Sequence, residues 1–360
     1  MTDRPPMQEL RALTGVRGIA AWFVVFYHIR LSIAGLPTDL RDVFAKGYLA
    51  VDFFFLLSGF VIWLTWSNRI GNGGFASIPR FLQKRIARIW PLHLVMLAVA
   101  VVLALVLRAT GRADPQFVFG ELPLHILLLQ NWGFTHALRW NDPAWSISTE
   151  FGAYLLFPLL VIAVDWRRLP STALLAIAAA LLVGLHLAMH ADKLGADISR
   201  FGLLRCLVEF TTGSIVCALW LRWRDQPGAI PGAVMLMMVL AVCWGAGAPE
   251  TLVVPALFAL ILMILALTSG RRGNPFEGNM VHYLGEISYA TYLSHFILWK
   301  AFKLAFVRDA TAVPAGMIAV YLGLVLLVSI VLYHAIERPA QNWLNSLPSR
   351  LREGSGEGLP

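Results

Sequence analysis

Two ionisable residues, Arg17 and His28, lie in the first apolar stretch of the chain, RGIAAWFVVFYHI. On an α-helix this separation corresponds to about three turns and about 16 Å, so both side chains project from nearly the same face. A charged group at the centre of a bilayer costs about 2.5 to 3.5 kcal/mol on insertion scales, and it usually faces a bundle interior or a water-filled cavity. Histidine exchanges protons near neutral pH, and arginine stabilises developing negative charge. This polar face is the first candidate for a catalytic site.

Asp52 follows in the second apolar stretch, GYLAVDFFFLLSGF. If the first helix runs outward and the second returns, Asp52 and His28 lie at a similar depth. Two interpretations are open. Asp52 could fix the tautomer of the His28 imidazole and raise its basicity. Alternatively, it could pair structurally with Arg30 or Lys46 near the membrane surface.

Arg85 and Arg88 stand three residues apart in PRFLQKRIARIWP, which we place in the loop between the second and third spans. Guanidinium groups bind phosphate oxygens in pairs, so this loop could hold a nucleotide diphosphate or coenzyme A. The alternative is an anchor on lipid headgroups. Glu337, at the end of the last span, is expected to pair with Arg85 or Arg88.

Further candidates lie in later segments. Glu150 follows a helix start near Trp145 and is either an acid–base or hydroxyl-orienting group or a carboxylate stabilised by the helix dipole. Trp145 belongs either to an interfacial aromatic belt or to a platform for a sugar ring. Arg205 and Glu209 stand four residues apart and are interpreted as a structural pair. His295 lies inside a predicted span, with a functional role and a packing role both open.

The composition indicates which elements must position these groups. Hydrophobic residues make up 58% of the 360 residues and charged residues 14%, and the mean hydropathy is +0.68. These values predict an all-α polytopic membrane bundle of about ten transmembrane helices. The predicted spans cover approximately residues 11–31, 47–67, 91–108, 145–165, 171–189, 201–221, 230–246, 250–269, 283–304 and 315–336.

Shorter features complete the topology. The segment 119–132 is too short to span and is predicted to be a re-entrant or interfacial helix. Arginines and lysines concentrate on alternate loops, which places both termini in the cytoplasm. The net charge of +8 is explained by this topology and by anionic lipid, so nucleic acid is not an expected partner. The three cysteines lie within apolar stretches, and the histidines lack metal-ligand spacing, so neither disulfides nor a metal site is predicted.

Taken together, these motifs resemble the acyltransferase-3 family of membrane enzymes, which O-acylate bacterial polysaccharides and related sugars. The shared elements are Arg17 with ten residues before His28, GYLAVDFFFLLSGF, KRIARIWP, QNW around Asn131, WSISTEFGAYLLFP, GEISYATYLSH and ERP. The resemblance extends from residue 10 to about 343. It implies one transmembrane acyltransferase domain, 1–343, followed by a tail, 344–360, that we expect to be disordered and cytoplasmic.

The resemblance also implies the activity. The expected donor is acyl-coenzyme A, most often acetyl-coenzyme A, with no tightly bound cofactor, and the expected acceptor is a carbohydrate or glycolipid hydroxyl. Arg17 and His28 are expected to be essential, and Arg85, Arg88 and Glu337 to contribute. The expected cellular location is the inner membrane of a bacterium. Trp145, Asn131 and His295 are assigned supporting roles.

Two mechanisms and a second function stay open from the sequence. His28, oriented by Asp52 or Glu150, could act as a general base, or it could carry the acyl group transiently. A proton-coupled transporter or flippase of a glycan or lipid-linked sugar is the alternative function, with a relay through His28, Asp52, Glu150 and His295. The acceptor, the acyl chain length and the oligomeric state are left undetermined.

Overall fold

A computed structural model describes residues 10–348, and within that range the chain is helical throughout its regular structure, with no strand. The prediction of an all-α bundle is therefore confirmed. The helices are α1 (Arg11–Ile29), α2 (Thr38–Ala45), α3 (Ala50–Gly73), α4 (Ile78–Ala109), α5 (Leu122–Ile126), α6 (Ala144–Ala163), α7 (Ser171–Met189), α8 (Ile198–Trp223), α9 (Ala229–Gly245), α10 (Glu250–Thr268), α11 (Asn279–Glu286), α12 (Ser288–Phe306), α13 (Ala315–Leu332) and α14 (Arg338–Ser346).

The long helices supply the membrane-spanning part. Seven stretches of the described chain are long and apolar enough to cross a membrane, and one of them, Thr38–Ala109, contains both α3 and α4. Helix α9 has 17 residues and falls below that length, and α12 is not among the seven. A helix occupies each predicted span, while the total of ten crossings stays a prediction.

Helix α4 corrects one prediction. The segment PRFLQKRIARIWP was expected to be a loop, but it forms the first half of a continuous helix of 32 residues, with Pro91 inside it. Its side chains are mostly good helix formers. Arg85 and Arg88 line an internal cavity instead of facing solvent, so the segment gains tertiary contacts that a hydropathy window cannot detect.

Two other elements also differ from prediction. The span expected over 283–304 is divided into α11 and α12, which meet at Ile287. The segment 119–132 contains a 3-10 turn and only the short helix α5, after which the chain turns. Side chains of α4 hold this segment, because Trp90 and His93 hydrogen-bond to the carbonyls of Ile126 and His125 at 2.9 and 2.8 Å.

The end of the chain is helical further than predicted. After α13 a π-helical turn, Tyr333–Glu337, leads into α14, which continues to Ser346 and so includes the first residues of the predicted tail. Arg80 donates to the Asn345 carbonyl at 2.9 Å, and Gln83 donates to the Leu344 carbonyl at 2.6 Å. These bonds satisfy carbonyls that a helix end leaves free. The rest of the predicted tail, 349–360, lies outside the described residues.

The core of the bundle is built on the crossing of α3 and α8. A Cβ atom on Gly59 would lie 1.8 Å from the Phe210 carbonyl oxygen, and one on Gly213 would lie 1.9 Å from the Leu56 carbonyl oxygen. Small residues on both helices therefore let the two backbones touch, as is usual between membrane helices. This contact fixes the distance between α3 and α8 where they cross.

We expect Gly213→Ala to destabilise the protein by about 1 to 3 kcal/mol or more, because the added methyl group overlaps the backbone of α3. The matched control is Gly71→Ala on α3, where a Cβ meets nothing within 4 Å. Thermal unfolding in detergent would measure both. Equal melting temperatures for the two variants would contradict the proposed close packing.

Candidate active site

A cavity of about 390 Å³ lies between α1, α3, α4, α6 and α12. Its charged lining residues are Arg17, Arg85, Arg88 and Glu150, and most of the remaining wall is apolar. The side chains with a hydroxyl group along this wall are Thr14, Ser58, Thr65, Ser146, Tyr154, Ser288, Tyr289 and Tyr292. The structure thus unites in one cavity the arginines that the sequence offered in two separate motifs.

Arg17 holds the junction between α11 and α12. Its Nη2 donates to the Gly285 carbonyl and to the Ser288 hydroxyl, at 3.2 Å each. The positive charge therefore meets the carbonyl end of α11, where a helix attracts cations. Gly285 also lets α11 approach α1, since a Cβ there would lie 1.8 Å from the Thr14 carbonyl oxygen.

Arg88 forms an ion pair with Glu337, which confirms the predicted pairing of Glu337 with one arginine of α4. The Glu337 side chain is 1% exposed, so the pair lies within the bundle. The π-helical turn that contains Glu337 is an irregularity that helices often show at functional sites. The ring of Tyr289 lies 5.4 Å from the Arg88 guanidinium and completes this corner of the cavity.

Arg85 is not neutralised in the same way. Its guanidinium lies 5.9 Å from the ring of Tyr154, and it has no ion pair with a carboxylate within residues 10–348. The Tyr154 hydroxyl donates to Glu150 at 2.6 Å. Arg17 also lacks a carboxylate partner among the described residues, but it donates to Gly285 and Ser288. The Arg85 guanidinium has neither an ion pair nor a hydrogen bond there, and its charge is free to bind an anion.

His28 and His295 form a pair between α1 and α12. His28 Nδ1 lies 3.1 Å from His295 Nε2 and 3.0 Å from the Val24 carbonyl oxygen. His295 Nδ1 lies 3.2 Å from the Thr291 carbonyl oxygen, and the His295 side chain is completely buried. Two residues that the sequence placed on separate helices thus become direct neighbours.

The hydrogen bonds define one consistent pair of tautomers. A carbonyl only accepts, so His28 Nδ1 and His295 Nδ1 both carry hydrogen. His28 Nδ1–H is then shared between Val24 and His295 Nε2, and His295, which accepts at Nε2, is neutral. In the neutral form of His28 the lone pair is on Nε2, as a general base requires.

The histidine pair does not line the cavity. Tyr292 lies between the cavity and this pair. The Tyr292 ring lines the cavity and lies 6.1 Å from the His295 ring, measured between centroids. Its hydroxyl hydrogen-bonds with Ser146 at 2.8 Å and with the Pro143 carbonyl at 3.0 Å. Tyr292 thus forms the wall between the arginines and the histidines.

Asp52 does not contact His28, which corrects the proposed histidine–carboxylate pair. Arg205 donates to Asp52 Oδ1 from Nη2 at 2.6 Å and from Nε at 3.1 Å. The prediction that Arg205 forms its ion pair with Glu209 is also wrong, since Asp52 takes that place. Spacing along α8 suggested Glu209, but the close crossing of α3 and α8 brings Asp52 nearer.

Trp145 and Asn131 are both buried in the bundle. Trp145 is 7% exposed, and its ring lies 5.3 Å from the Arg205 guanidinium. Asn131 is 2% exposed and donates to the Ile198 carbonyl at 3.0 Å. Both side chains fix the start of α6 and α8, and a sugar-binding role for Trp145 stays a prediction.

Two residues that line the cavity, Ser146 and Tyr154, were not predicted from the sequence. Ser146, Glu150 and Tyr154 stand four residues apart on α6, so they share one face. Helical spacing counted from Glu150 would have found both residues. Their neighbours are largely apolar, which hid the stripe in a hydropathy profile.

A polar network closes the bundle next to α12. Lys300 pairs with Asp114 at 2.6 Å and also contacts Gln116, which in turn donates to Asp142. Burial raises the pKa of Asp142 to about 6, against the opposite effect of the bond from Gln116. The network fixes the loop before α6 over the helix that carries His295.

The fold and the cavity define a helical membrane protein with an arginine-rich internal site, and sequence comparison gives its family. Residues 10–334 match the acyltransferase-3 family, described as an acyltransferase domain. The chain therefore belongs to the acyltransferase-3 family. No solved structure matches it.

Individual relatives carry related names. The chain is 32% identical to Acyltransferase MdmB of Streptomyces mycarofaciens over 94% of each chain. It is 27% identical to a protein of Komagataeibacter xylinus named as a membrane-bound transacylase, BcsY, over 96% of this chain and 87% of that one. It is 24% identical to YrhL of Bacillus subtilis, named as a peptidoglycan O-acetyltransferase, over 79% of this chain and 48% of that one.

We expect Arg88→Met to lower the free energy of unfolding by about 3 to 5 kcal/mol, because Glu337 would lose the partner of its buried charge. The double variant Arg88→Met with Glu337→Met should recover part of that loss. The control is Arg168→Met, because Arg168 is 87% exposed and its pair with Asp165 should contribute at most about 1 kcal/mol. Chemical unfolding would measure all three. A loss for Arg88→Met no larger than for Arg168→Met would contradict the buried pair.

Proposed function

We propose that the protein is an O-acyltransferase that moves an acyl group, most often acetyl, from acyl-coenzyme A to a hydroxyl of a carbohydrate or lipid-linked sugar. The observation that carries this proposal is the position of the arginine cavity beside the His28–His295 pair, because Tyr292 lines the cavity and its ring lies 6.1 Å from the His295 ring. Family membership supports acyl transfer, and the relative named as a peptidoglycan O-acetyltransferase supports a sugar acceptor.

The cavity suits the donor chemically. Coenzyme A carries its phosphate groups at the nucleotide end of a long flexible arm. One guanidinium can bind two phosphate oxygens at once. Arg85 supplies the free charge, and Arg88 is held in place by Glu337. A volume of about 390 Å³ fits the pantetheine arm and its thioester, with the nucleotide at the end where α1 begins. Arg17, about three helical turns before His28 on α1, grips the donor on its way to the histidine pair.

The histidine pair supplies the base. His28 Nε2 takes the proton of the acceptor hydroxyl as that oxygen attacks the thioester carbonyl carbon. The carbon–sulfur bond then breaks, and the leaving thiolate takes the proton back from His28. His295 replaces Asp52 in the role of keeping the proton on His28 Nδ1. Tyr292 must move aside or admit the thioester past its ring, because that ring lies between the cavity and His295, the neighbour of His28.

A second route has the same groups and a covalent intermediate. His28 Nε2 attacks the thioester carbon, the carbon–sulfur bond breaks, and the thiolate leaves with the proton of His28 Nδ1. In a second step the acceptor oxygen attacks the acyl carbon, the bond to Nε2 breaks, and the proton of the acceptor hydroxyl returns to the imidazole. Mass spectrometry of protein mixed with donor alone distinguishes the two routes. An added acyl mass on the α1 peptide indicates the covalent route, and unmodified peptide together with normal turnover indicates direct transfer.

Topology follows from the same proposal. The phosphate-binding end of the cavity faces the cytoplasm, where coenzyme A is present, and the described chain begins and ends at that side. The positive charges on alternate loops agree with this orientation. The proposed cellular location of the protein is therefore the inner membrane of a bacterium.

The decisive assay is thiol release from acetyl-coenzyme A by purified protein in lipid, with and without candidate sugars. We expect sugar-stimulated release in the wild type, and a loss of at least about a hundredfold in His28→Ala, in line with the usual contribution of a general base. The control is His136→Ala, because His136 lies exposed in a loop outside the cavity.

Each outcome has a defined meaning. Release that persists in His28→Ala would reject His28 as the base while keeping the enzyme. Movement of a labelled sugar across the membrane without any thiol release or coenzyme A binding would favour the transporter. That alternative has lost one of its predicted relay members, because Asp52 contacts Arg205 and not His28.

A further inference from the structure

Three ionisable side chains are enclosed at the crossing of α3 and α8, away from the cavity. Asp52 and Glu209 are 0% exposed, and Arg205 is 1% exposed. Two acidic groups and one basic group would leave the cluster with one uncompensated negative charge if all three were ionised. An uncompensated charge in an apolar interior is so unfavourable that the group usually changes its protonation state instead.

The bonds of Arg205 are all directed away from Glu209. Its Nε and Nη2 both donate to Asp52 Oδ1, and its Nη1 donates to the Leu194 carbonyl at 2.6 Å. Asp52 therefore takes the ion pair. Glu209 receives no hydrogen bond from the guanidinium, although it lies one helical turn further along α8.

Glu209 faces Asp52 within hydrogen-bonding reach. Asp52 Oδ2 and both Glu209 carboxyl oxygens are buried, and no donor among the described residues bonds to them. Two carboxylates in contact without a hydrogen between them repel each other. One shared proton removes the repulsion and gives Asp52 Oδ2 and one of the two Glu209 oxygens a hydrogen-bond partner.

The neighbouring polar groups are occupied elsewhere. The Tyr48 hydroxyl donates to Glu250, and the Tyr292 hydroxyl bonds to Ser146 and the Pro143 carbonyl.

On α6, Glu150 accepts from Tyr154, and the Trp145 ring lies against Arg205 without a bond to either carboxyl group. The Cys206 side chain on α8 is hydrogen-bonded to the Thr149 side chain. None of these groups supplies the missing hydrogen.

We propose that this cluster is a binding site for one proton, which Glu209 holds at neutral pH and donates to Asp52 Oδ2. The cluster is then neutral overall, with Arg205 positive, Asp52 negative and Glu209 uncharged. The proton locks α8 to α3 at the crossing on which the bundle is built. This inference does not depend on the proposed enzymatic activity.

Infrared spectroscopy of the purified protein at neutral pH tests the proposal directly. We expect the wild type to show the carbonyl stretch of a protonated carboxylic acid, and Glu209→Gln to lose it. Glu209→Gln should keep the wild-type melting temperature because the amide preserves a donor to Asp52, whereas Glu209→Ala should melt lower. The control Asp225→Asn, at a side chain 89% exposed, should leave the band unchanged.

A second variant keeps the test decisive if Glu209→Gln does not fold. In Asp52→Asn, Arg205 needs a new carboxylate, so Glu209 should release its proton and the same band should disappear. The proposal is overturned if the wild type lacks the band or if the band persists in Glu209→Gln. It is equally overturned if the band persists in Asp52→Asn, because Glu209 would then not share its proton with the Asp52–Arg205 pair.

Discussion

Burial of charge is the constraint on which this structure depends. Ionised groups are expensive inside an apolar bundle, so each needs a partner or an enclosed polar space. Arg88 meets Glu337, Arg205 meets Asp52, and Arg17 meets the carbonyl end of α11. Arg85 has the cavity instead of a carboxylate. This exception distinguishes a residue available to a ligand from residues that hold helices together.

The irregular parts of the fold serve the same constraint. The break between α11 and α12 exposes the carbonyl that Arg17 binds, and the π-helical turn after α13 carries Glu337 to Arg88. Glycines at 59, 213 and 285 allow backbones to touch, which positions the helices that carry these charges. Local departures from ideal helices are therefore the features that assemble the site.

Much of the site could be predicted from the sequence because it depends on spacing within one helix. Arg17 and His28 share a face of α1, and Arg85 and Arg88 share a face of α4, as their separations indicated. The membrane class and the helix positions followed from hydropathy. The limits of α4 and the break at Ile287 did not, because tertiary bonds to charged side chains determine them.

Contacts between helices were harder to predict. Depth in the membrane suggested Asp52 as the partner of His28, but it does not specify which faces of two helices meet. The crossing at Gly59 and Gly213 turns Asp52 toward Arg205, and α12 brings His295 to His28 instead. The sequence contains both glycines, but only the structure shows that each one lies against the backbone of the other helix.

A direct measurement of coenzyme A binding would test whether the arginine cavity receives an acyl-coenzyme A donor. Calorimetry on purified protein in lipid would compare the wild type with Arg85→Gln at low and high salt. We expect saturable binding that weakens with salt, and an affinity at least about tenfold lower in Arg85→Gln, the equivalent of about 1.4 kcal/mol. Absence of binding in the folded wild-type protein, or equal affinity in Arg85→Gln, would contradict it.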